Sequence, residues 1–457
     1  LVADILLLSL GIATIVTLLL VSTQLEDNLY ENAEGVDAVV GASGSPVQII
    51  LSSVFHMDAP TGNIDLEEAV KVIRHPMVER AIPLALGDNV RGFRLVGTTT
   101  EYPARAGATF SDGSYWDHEF EVIAGSIAAN VLNIQVGDTL ISAHGLSDAG
   151  LEHGDHSLLV VGILQPTGSV MDQLLLTGVE TMWGIHTYDI DPTNENLEDD
   201  HEHDSAKKNS EDDHEHDSAN DHTNTRDHEH SNEAGNSITH DHDHPIDHHD
   251  QRDHAGHIHA NTRPITNTSY LDPANLDQQI TSLLIEYRNP LAAAQFPRFI
   301  MDQTNLQAAA PAIEITRLLG LLGIGLDAIQ IFAIILIFAS LLGIFIALLN
   351  SMKDRKYDLA IMRSLGAPRR KLFTLITLEG ITLSLAGTIL GMILGHSAVW
   401  ILTGTVEQAQ QFQMSALRFL PEELWLISIA LTAGLIASLI PAIQAYRTDI
   451  AATLSKT

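Results

Sequence analysis

The 457-residue sequence contains no cysteine, so the chain forms no disulfide bond and offers no thiolate ligand to a metal ion. Aromatic residues are also scarce, at 5%. Basic residues are few, with 24 Lys and Arg against 58 Asp and Glu, and the net charge is −34. Because binding to nucleic acid depends on basic side chains, this balance argues against a nucleic-acid partner.

The sequence also lacks the G-x-x-x-x-G-K-[ST] loop that binds nucleotide phosphates, so we expect no ATP hydrolysis by this chain itself. It begins at Leu1, not at a methionine, at the edge of an apolar run. We interpret it as a fragment or a trimmed chain from which a short basic cytoplasmic tail, or alternatively a larger fused domain, is missing. Because no small-residue cleavage site follows the run, we predict a membrane anchor and not a signal peptide.

Four apolar runs are long enough to cross a bilayer, which takes about 20 residues of helix. They cover residues 5–22, 328–349, 372–402 and 424–445. The polar segment between the first two runs, roughly 300 residues, has room for one or two folded domains. The sequence therefore predicts one transmembrane helix, a large inserted segment, and three further transmembrane helices.

The loop between the second and third runs is strongly basic. Against Asp354 and Asp358 stand the cations Lys353, Arg355, Lys356, Arg363, Arg369, Arg370 and Lys371. By the positive-inside rule this loop is cytoplasmic. The large inserted segment and the acidic 403–423 loop are then predicted to lie on the outer side of the membrane.

Residue patterns in the inserted segment predict a mixed α+β domain. Strands are predicted at residues 36–41, 47–54, 79–86, 91–98, 120–123, 138–141, 157–164, 171–176 and 280–287, with a turn at Asp88-Asn89. Helices are predicted at residues 65–74, 127–132, 181–186 and 291–301. Residues 24–34 and 312–322 keep helical spacing, and we expect them to extend the first and second membrane helices outward as stalks.

A tract rich in histidine and aspartate, residues 191–265, interrupts this domain. It has almost no apolar residue to bury and is predicted to be a disordered loop. Imidazole and carboxylate groups are zinc ligands, so we predict labile Zn²⁺ binding that weakens as the pH falls through about 6.5. The predicted ligands are His201, His203, His214, His216, His228, His230, His240, His242, His244, His248, His249, His254, His257 and His259.

Two alternatives stay open for the histidines. The tract can instead be a solvated acidic linker without a metal. A second, smaller metal site at His153 and His156 is a further hypothesis, beside the simpler interpretation that both are solvated turn residues. We expect no tightly bound cofactor.

The third membrane run contains a face of small residues. Steps of mostly four residues separate Gly380, Ser384, Gly387, Gly391 and Gly395. Such a face predicts close helix packing, centred on the last three glycines, either within one subunit or against a second copy. Glu379 and His396 in the same run are interpreted as structural, although an acid or a histidine at this depth is also a candidate for proton or metal binding.

The basic loop resembles a known segment. Tyr357–Arg370 is similar to the charged coupling segment of the MacB/FtsX-type ABC transporter permeases, which reads E-I-x-x-x-R-x-L-G-A, with Asp358 in the acidic place. In the inserted domain, Val122–Ala129, Gly137-Asp138 and Val160–Gly168 resemble the family's outer core domain. The order of one span, a large domain and three spans also matches.

The resemblance implies a function for this segment. A cytoplasmic ATPase on a separate chain would bind it, and ATP would act only through that partner. The residues implied in this coupling are Lys356, Asp358, Arg363, Leu365, Gly366, Arg369 and Arg370. Two permease subunits, identical or different, would dimerise in the lipid of the bacterial inner membrane, with the inserted domain in the periplasm. The chain would then be a transport subunit and not an enzyme.

The histidine tract resembles, in composition alone, permeases of this group that are associated with zinc-handling systems, which implies a periplasmic metal-binding or adaptor partner. We therefore expect a permease linked to zinc. Lipoprotein release, peptide or small-molecule export, and regulation of a periplasmic protein without transport remain the alternatives. The predicted domains are residues 1–23 (first membrane helix), 24–190 (first part of the core domain), 191–265 (tract), 266–322 (rest of the core domain and stalk) and 323–457 (permease domain).

Overall fold

The computed structural model describes residues 2–145, 152–187, 262–405 and 414–446. The helices in these ranges are α1 (Val2–Ala33), α2 (Pro46–Ser53), α3 (Leu66–Ile73), α4 (Glu101–Arg105), α5 (Ser126–Leu132), α6 (Val179–Thr187), α7 (Ala292–Gln303), α8 (Pro311–Asp354), α9 (Lys356–Ser364), α10 (Arg369–Thr405) and α11 (Pro421–Tyr446). The strands are β1 (Ala38–Ala42), β2 (Ile64–Asp65), β3 (Val78–Val90), β4 (Phe93–Thr98), β5 (Phe110–Gly113), β6 (Glu121–Ala124), β7 (Thr139–His144), β8 (Glu152–Leu164), β9 (Leu175–Gly178), β10 (Gln279–Ile280), β11 (Ser282–Tyr287) and β12 (Leu306–Ala309).

The elements between α1 and α8 form an α+β domain, called here the inserted domain. Ten of the described strands make one sheet in the order β12-β1-β11-β3-β4-β9-β6-β8-β5, with β7 pairing with both β3 and β8. The 13-residue strand β3 pairs with β11 along its first half and with β4 and β7 along its second half. One long strand thus joins the two parts of the domain.

Apolar side chains cover both faces of this sheet, as the alternation of side chains along a strand requires. On one face, Val40 belongs to a cluster that includes Leu66 of α3, Met182 of α6 and Phe296 of α7. On the other face, the adjacent residue Val39 packs in a cluster with α2 and with the outer ends of the two long helices α1 and α8. This second cluster includes Ile50 of α2, Leu29 of α1 and Ile315 of α8.

Four helices, α1, α8, α10 and α11, are long and apolar enough to cross a membrane, which confirms the predicted spans. Leu8, Ile12, Val16 and Leu20 recur every four residues on α1 and are fully buried in a cluster with residues of the other three helices. Since these residues share one face of α1, the first helix packs against the others through that face.

Both membrane helices that flank the inserted domain continue into it, where the stalks were expected. Helix α8 has 44 residues, which is about 66 Å at 1.5 Å per residue, against a hydrocarbon core of about 30 Å. Helix α1 has 32 residues. The excess length of both helices lies on the side of the inserted domain, since Leu29 and Ile315 are in its core.

Of the strands predicted in the inserted domain, one was wrong and another began too early. Residues 47–54 form helix α2 and not a strand. Pro46 stands at its start, where a missing N–H costs nothing, and Ile49 and Ile50 are buried on one face. Residues 171–176 begin as a short 3₁₀ turn, Val170–Gln173, so the strand β9 starts only at Leu175.

The turn predicted at Asp88-Asn89 lies further along the chain. Strand β3 continues to Val90, and Arg91 and Gly92 make the turn with φ of 47° and 85°. Positive φ at both positions is typical of the tight hairpin turn whose twist matches that of the strands. Asp88 and Asn89 are consequently buried inside the sheet.

The predicted end of the histidine tract at residue 265 is too late. Residues 262–265 belong to the fold: the Ile265 amide donates to the Asp117 carbonyl at 2.8 Å, and the Glu119 amide donates to the Arg263 carbonyl at 2.9 Å. The Ile265 side chain packs against the core. Ile265 is a single apolar residue among polar ones and forms no periodic pattern, so the sequence alone does not show where the tract ends. Residues 188–261, with all fourteen predicted zinc ligands, lie outside the described part of the chain.

Candidate functional sites at the coupling helix and in the inserted domain

The basic loop between the second and third membrane helices folds as the short helix α9. Gly366 ends it in the left-handed conformation, with φ of 96°. The Ala367 amide donates to the Met362 carbonyl at 3.0 Å, and the Leu365 amide donates to the Ile361 carbonyl at 3.0 Å. This arrangement around a glycine stops a helix sharply, so α9 stays a separate unit between α8 and α10.

An exposed apolar stripe runs along α9. Tyr357, Ile361 and Leu365 follow one another at steps of four and are 52%, 37% and 82% exposed. Residues four apart share one face of a helix. An apolar face at the end of a polar loop is a surface that a groove of another protein can bury.

The described charged residues predicted for coupling lie on α9 and at the start of α10. Asp358, Arg369 and Arg370 are exposed. The Arg369 guanidinium lies 5.9 Å from the Tyr446 ring centroid, which ties the start of α10 to the end of α11. Arg370 lines an adjoining cavity of about 440 Å³ with Phe373, Thr374, Ile443 and Tyr446. The side chains of Lys356 and Arg363 lie outside the described part.

The glycines predicted for helix packing lie against α1. A Cβ on Gly387 would lie 2.7 Å from Leu8, one on Gly391 2.8 Å from Ile12, and one on Gly395 2.8 Å from Val16. Gly380 faces Ser438 of α11 in the same way. The small-residue face is therefore covered by helices of the same chain, which is the intramolecular alternative.

Polar contacts join the outer ends of α1, α10 and α11. Gln24 of α1 accepts from the Ser415 amide at 2.7 Å and donates to its carbonyl at 3.1 Å. His396 of α10 lies 3.2 Å from Glu423 of α11, and 2.6 Å from the Ala416 carbonyl. Since both nitrogens of His396 face local partners, its structural interpretation fits the geometry.

A cluster that the sequence did not indicate lies in the inserted domain. Asp88 of β3 has a fully buried side chain, with His144 Nδ1 3.2 Å from Oδ1 and His186 Nε2 3.1 Å from Oδ2. The ligand-type atoms of the three residues all lie within 4.8 Å of one another. The two imidazole rings are stacked, with centroids 5.0 Å apart.

Three separate elements bring this cluster together. His144 at the end of β7 lies directly opposite Asp88 in the β3–β7 ladder. The register of β3 against β4 shifts between Leu86 and Asn89, and such an irregularity re-aims the side chains that follow. His186 comes from the last turn of α6, which packs through Met182 on the sheet face that contains Val40. His153 and His156, the pair considered from the sequence, belong to β8 with side chains outside the described part.

Asn89 fixes the backbone around His144. Its Nδ2 donates to the carbonyls of Ala143 at 3.2 Å and Gly145 at 3.1 Å, on either side of the histidine. The Gly145 amide donates to the Gly87 carbonyl at 2.8 Å. The positions of Asp88 and His144 are thus set by a hydrogen-bonded frame on both strands.

Comparison with known families identifies the membrane part. Residues 330–450 match the model of the FtsX-like permease C-terminal family, and this match contains α9 and the last two membrane helices. This match covers about a quarter of the chain and shows a likeness of its last part to FtsX-like permeases. The four helices that are long and apolar enough to cross a membrane agree with that likeness.

Two solved structures align with part of the chain. The periplasmic region of MacB from Actinobacillus actinomycetemcomitans is 12% identical and aligns over 35% of this chain and 73% of its own, with a TM-score of 0.24. The extracellular domain of the noncanonic ABC-type transporter YknZ from Gram-positive bacteria is 11% identical over 32% and 74%, with a TM-score of 0.21. Comparison with curated proteins gives no match. The likeness to a known family therefore rests on residues 330–450.

Proposed function

We propose that this permease couples ATP hydrolysis by a separate cytoplasmic ATPase to movement of the inserted domain in the periplasm, in a system that handles zinc. The chain itself performs no catalysis. A second permease subunit, identical or different, completes the transporter in the inner membrane, and a periplasmic metal-binding or adaptor protein receives the movement.

The continuity of α8 carries this proposal. Near its start, Ile315 is fully buried in the core of the inserted domain. Near its end, Met352 packs with Leu372 and Ala442 beside the coupling helix α9. A helix is stiff along its axis, so a displacement at α9 reaches the inserted domain without an intervening loop. Helix α1 makes the same connection in parallel through Leu29.

The exposed stripe Tyr357–Ile361–Leu365 is the surface we assign to the ATPase. The surrounding loop is basic, which supports its cytoplasmic placement. Leu365 is the most exposed of the three, at 82%, so a charge introduced there acts on a partner's surface and not on the packing of this chain.

Leu365→Glu should therefore reduce capture of the ATPase at least tenfold when the tagged chain is purified in detergent, because about 1.4 kcal/mol of lost interface energy is tenfold in affinity. Val131→Glu is the matched control, since Val131 is 67% exposed but lies in the inserted domain. Undiminished capture by the Leu365 variant, or equal loss in both variants, would contradict the assigned surface.

The zinc part of the proposal is supported by the composition of the tract, with histidines and carboxylates in close succession and no cysteine. Deletion of residues 191–261, which spares the folded residues from 262 onward, should impair growth in a chelator of Zn²⁺ while growth in zinc-replete medium stays normal. Unchanged growth in the chelator would remove the zinc link but leave the ATPase coupling standing.

A further inference from the structure

We propose that Asp88, His144 and His186 form a built binding site for a divalent transition-metal ion of the zinc type. This site is separate from the histidine tract and consists only of β3, β7 and α6. It extends the zinc link without depending on it, since the three side chains converge whatever the permease transports.

The spacing of the three side chains fits an ion of this type. Zinc binds imidazole nitrogen and carboxylate oxygen at about 2.0–2.2 Å, so two ligand atoms at a tetrahedral angle lie about 3.3 Å apart. The two nitrogen-to-oxygen distances here are 3.2 and 3.1 Å. Because all the ligand atoms lie within 4.8 Å of one another, one ion reaches all three after small side-chain rotations.

Burial distinguishes this cluster from exposed groups of acids and histidines. The Asp88 side chain is fully buried, and a carboxylate removed from water must be compensated by a cation or by hydrogen bonds. Each of its oxygens faces a different imidazole. The arrangement can also persist as a hydrogen-bonded triad without an ion, and the experiment below separates the two.

The types of ligand limit which metal ions the site can bind. Two imidazoles and one carboxylate suit Zn²⁺, Cu²⁺, Ni²⁺ and Co²⁺, whereas Ca²⁺ and Mg²⁺ prefer oxygen ligands throughout. The histidine side chains are 45% and 41% exposed, so the site opens to solvent on their side. Three protein ligands with one open position describe a site that exchanges its ion or passes it on, not a closed structural site.

Asn89 acts as a positioning residue for this site. Its two hydrogen bonds hold the backbone on both sides of His144 and keep the imidazole opposite Asp88. Because this frame already holds the ligand in place, no conformational entropy is lost in ordering it when the ion binds. The affinity for the metal ion should therefore be higher than that of an unstructured histidine pair.

The test uses the full chain in detergent with residues 191–259 replaced by a Gly-Ser linker of about 12 residues, whose root-mean-square length is about 20 Å. This removes the tract histidines from the background. Titration with Zn²⁺ in a calorimeter should show one saturable site per chain. His144→Ala and His186→Ala should each weaken it at least tenfold, and Asn89→Ala should weaken it less.

The matched control is His118→Ala, since His118 is also a half-exposed histidine beside a carboxylate, Glu121, but belongs to no group of three ligands among the described residues. Its zinc affinity should equal that of the parent. A His153→Ala/His156→Ala double variant tests the pair on β8. Binding that survives the loss of His144 or His186, or that disappears with the β8 pair, would overturn the proposal.

Thermal unfolding and Co²⁺ absorption distinguish a variant that has lost the metal site from one that fails to fold. The parent should melt at a higher temperature with saturating Zn²⁺, because an ion that binds only the folded state stabilises it. The His186→Ala variant should melt as the parent does without zinc and show no zinc-dependent rise. Co²⁺ in the parent should give the intense visible absorption of tetrahedral coordination. A parent that shows neither effect holds a hydrogen-bonded triad only.

Discussion

At the scale of single residues, His56 shows how burial creates a pH dependence. Its Nε2 lies 2.7 Å from the Tyr102 hydroxyl, and both side chains are buried in the inserted domain. Burial, with a smaller contribution from Arg94, lowers the pKa of His56 to about 3. The folded protein therefore keeps this imidazole neutral at every physiological pH.

The pKa of an unfolded histidine is about 6.5, so below this pH the unfolded chain takes up a proton that the folded chain refuses. The contribution of the neutral imidazole is present above pH 6.5 and is lost progressively as the pH falls towards 3. Going from about pH 7.5 to about pH 5.5 should cost about 1.4 kcal/mol from this residue, or roughly 3 °C in the melting temperature.

His56→Phe should remove this part of the acid-induced fall in melting temperature, because phenylalanine does not titrate. His118→Ala, at a half-exposed histidine, should retain the wild-type fall. An equal fall in the wild type and the His56 variant would show that this histidine does not remain neutral in the folded state.

The residues of the two candidate sites differ in how readily they can be recognised from the sequence. The segment that forms α9 was singled out in the sequence because its signals, clustered cations and the Leu365-Gly366 pair, are local; its coupling role stays a prediction. Asp88, His144 and His186 are far apart in the chain, and Asp88 next to Asn89 has the composition of a turn. They meet only because β3 pairs with β7 and α6 packs on the sheet, and no local sequence pattern indicates these contacts.

At the scale of elements, the contact between α10 and α1 depends on the absence of side chains. A Cβ on Gly391 would lie 2.8 Å from both the Ile12 Cβ and the Ser9 carbonyl oxygen. The second of these is backbone and cannot turn away. The two helices must therefore separate if anything larger than glycine is placed there.

Gly391→Ala should destabilise the helix bundle by about 1–3 kcal/mol, the usual cost of forcing extra atoms into a packed interface. Gly404→Ala is the matched control in the same helix, since a Cβ at Gly404 would meet nothing within 4 Å. It should be neutral or slightly stabilising. Melting temperatures in detergent compare the two. Equal melting temperatures would mean that α10 does not pack on α1 through this face.

Element type followed from the sequence where the pattern is long. The four membrane helices and the stalks could be predicted because their apolar content or spacing persists over many turns. Residues 47–54 could not be assigned, because a stretch of eight residues that includes several β-branched side chains is compatible with both a strand and a short helix. Tertiary packing of Ile49 and Ile50 against the sheet decides for α2.

At the scale of the whole molecule, the inserted domain and the coupling helix are joined by continuous helix. Helices α1 and α8 have their outer ends in the core below one face of the sheet, and the Asp88 cluster lies on the opposite face with α6. In the proposed coupling, a movement of the stalks would act on the sheet from one face. The sequence predicted the stalks but not which face they contact, since the faces are defined only by strand order.

The absence of cysteine makes this arrangement directly measurable, because two introduced cysteines can be labelled without background. Suitable positions are Val131, exposed on α5 of the inserted domain, and Gly404, exposed near the end of α10. Spin labels at both sites report the position of the inserted domain relative to the membrane helices.

The most direct test of ATP-driven coupling is the distance between these labels in the complex with the co-purifying ATPase, reconstituted in lipid, without nucleotide and with trapped ATP. The distance distribution should shift when ATP is trapped, and Leu365→Glu should abolish the shift. An unchanged distribution, while the bound ATPase hydrolyses ATP, would contradict the claim that α1 and α8 carry movement from the coupling helix to the inserted domain.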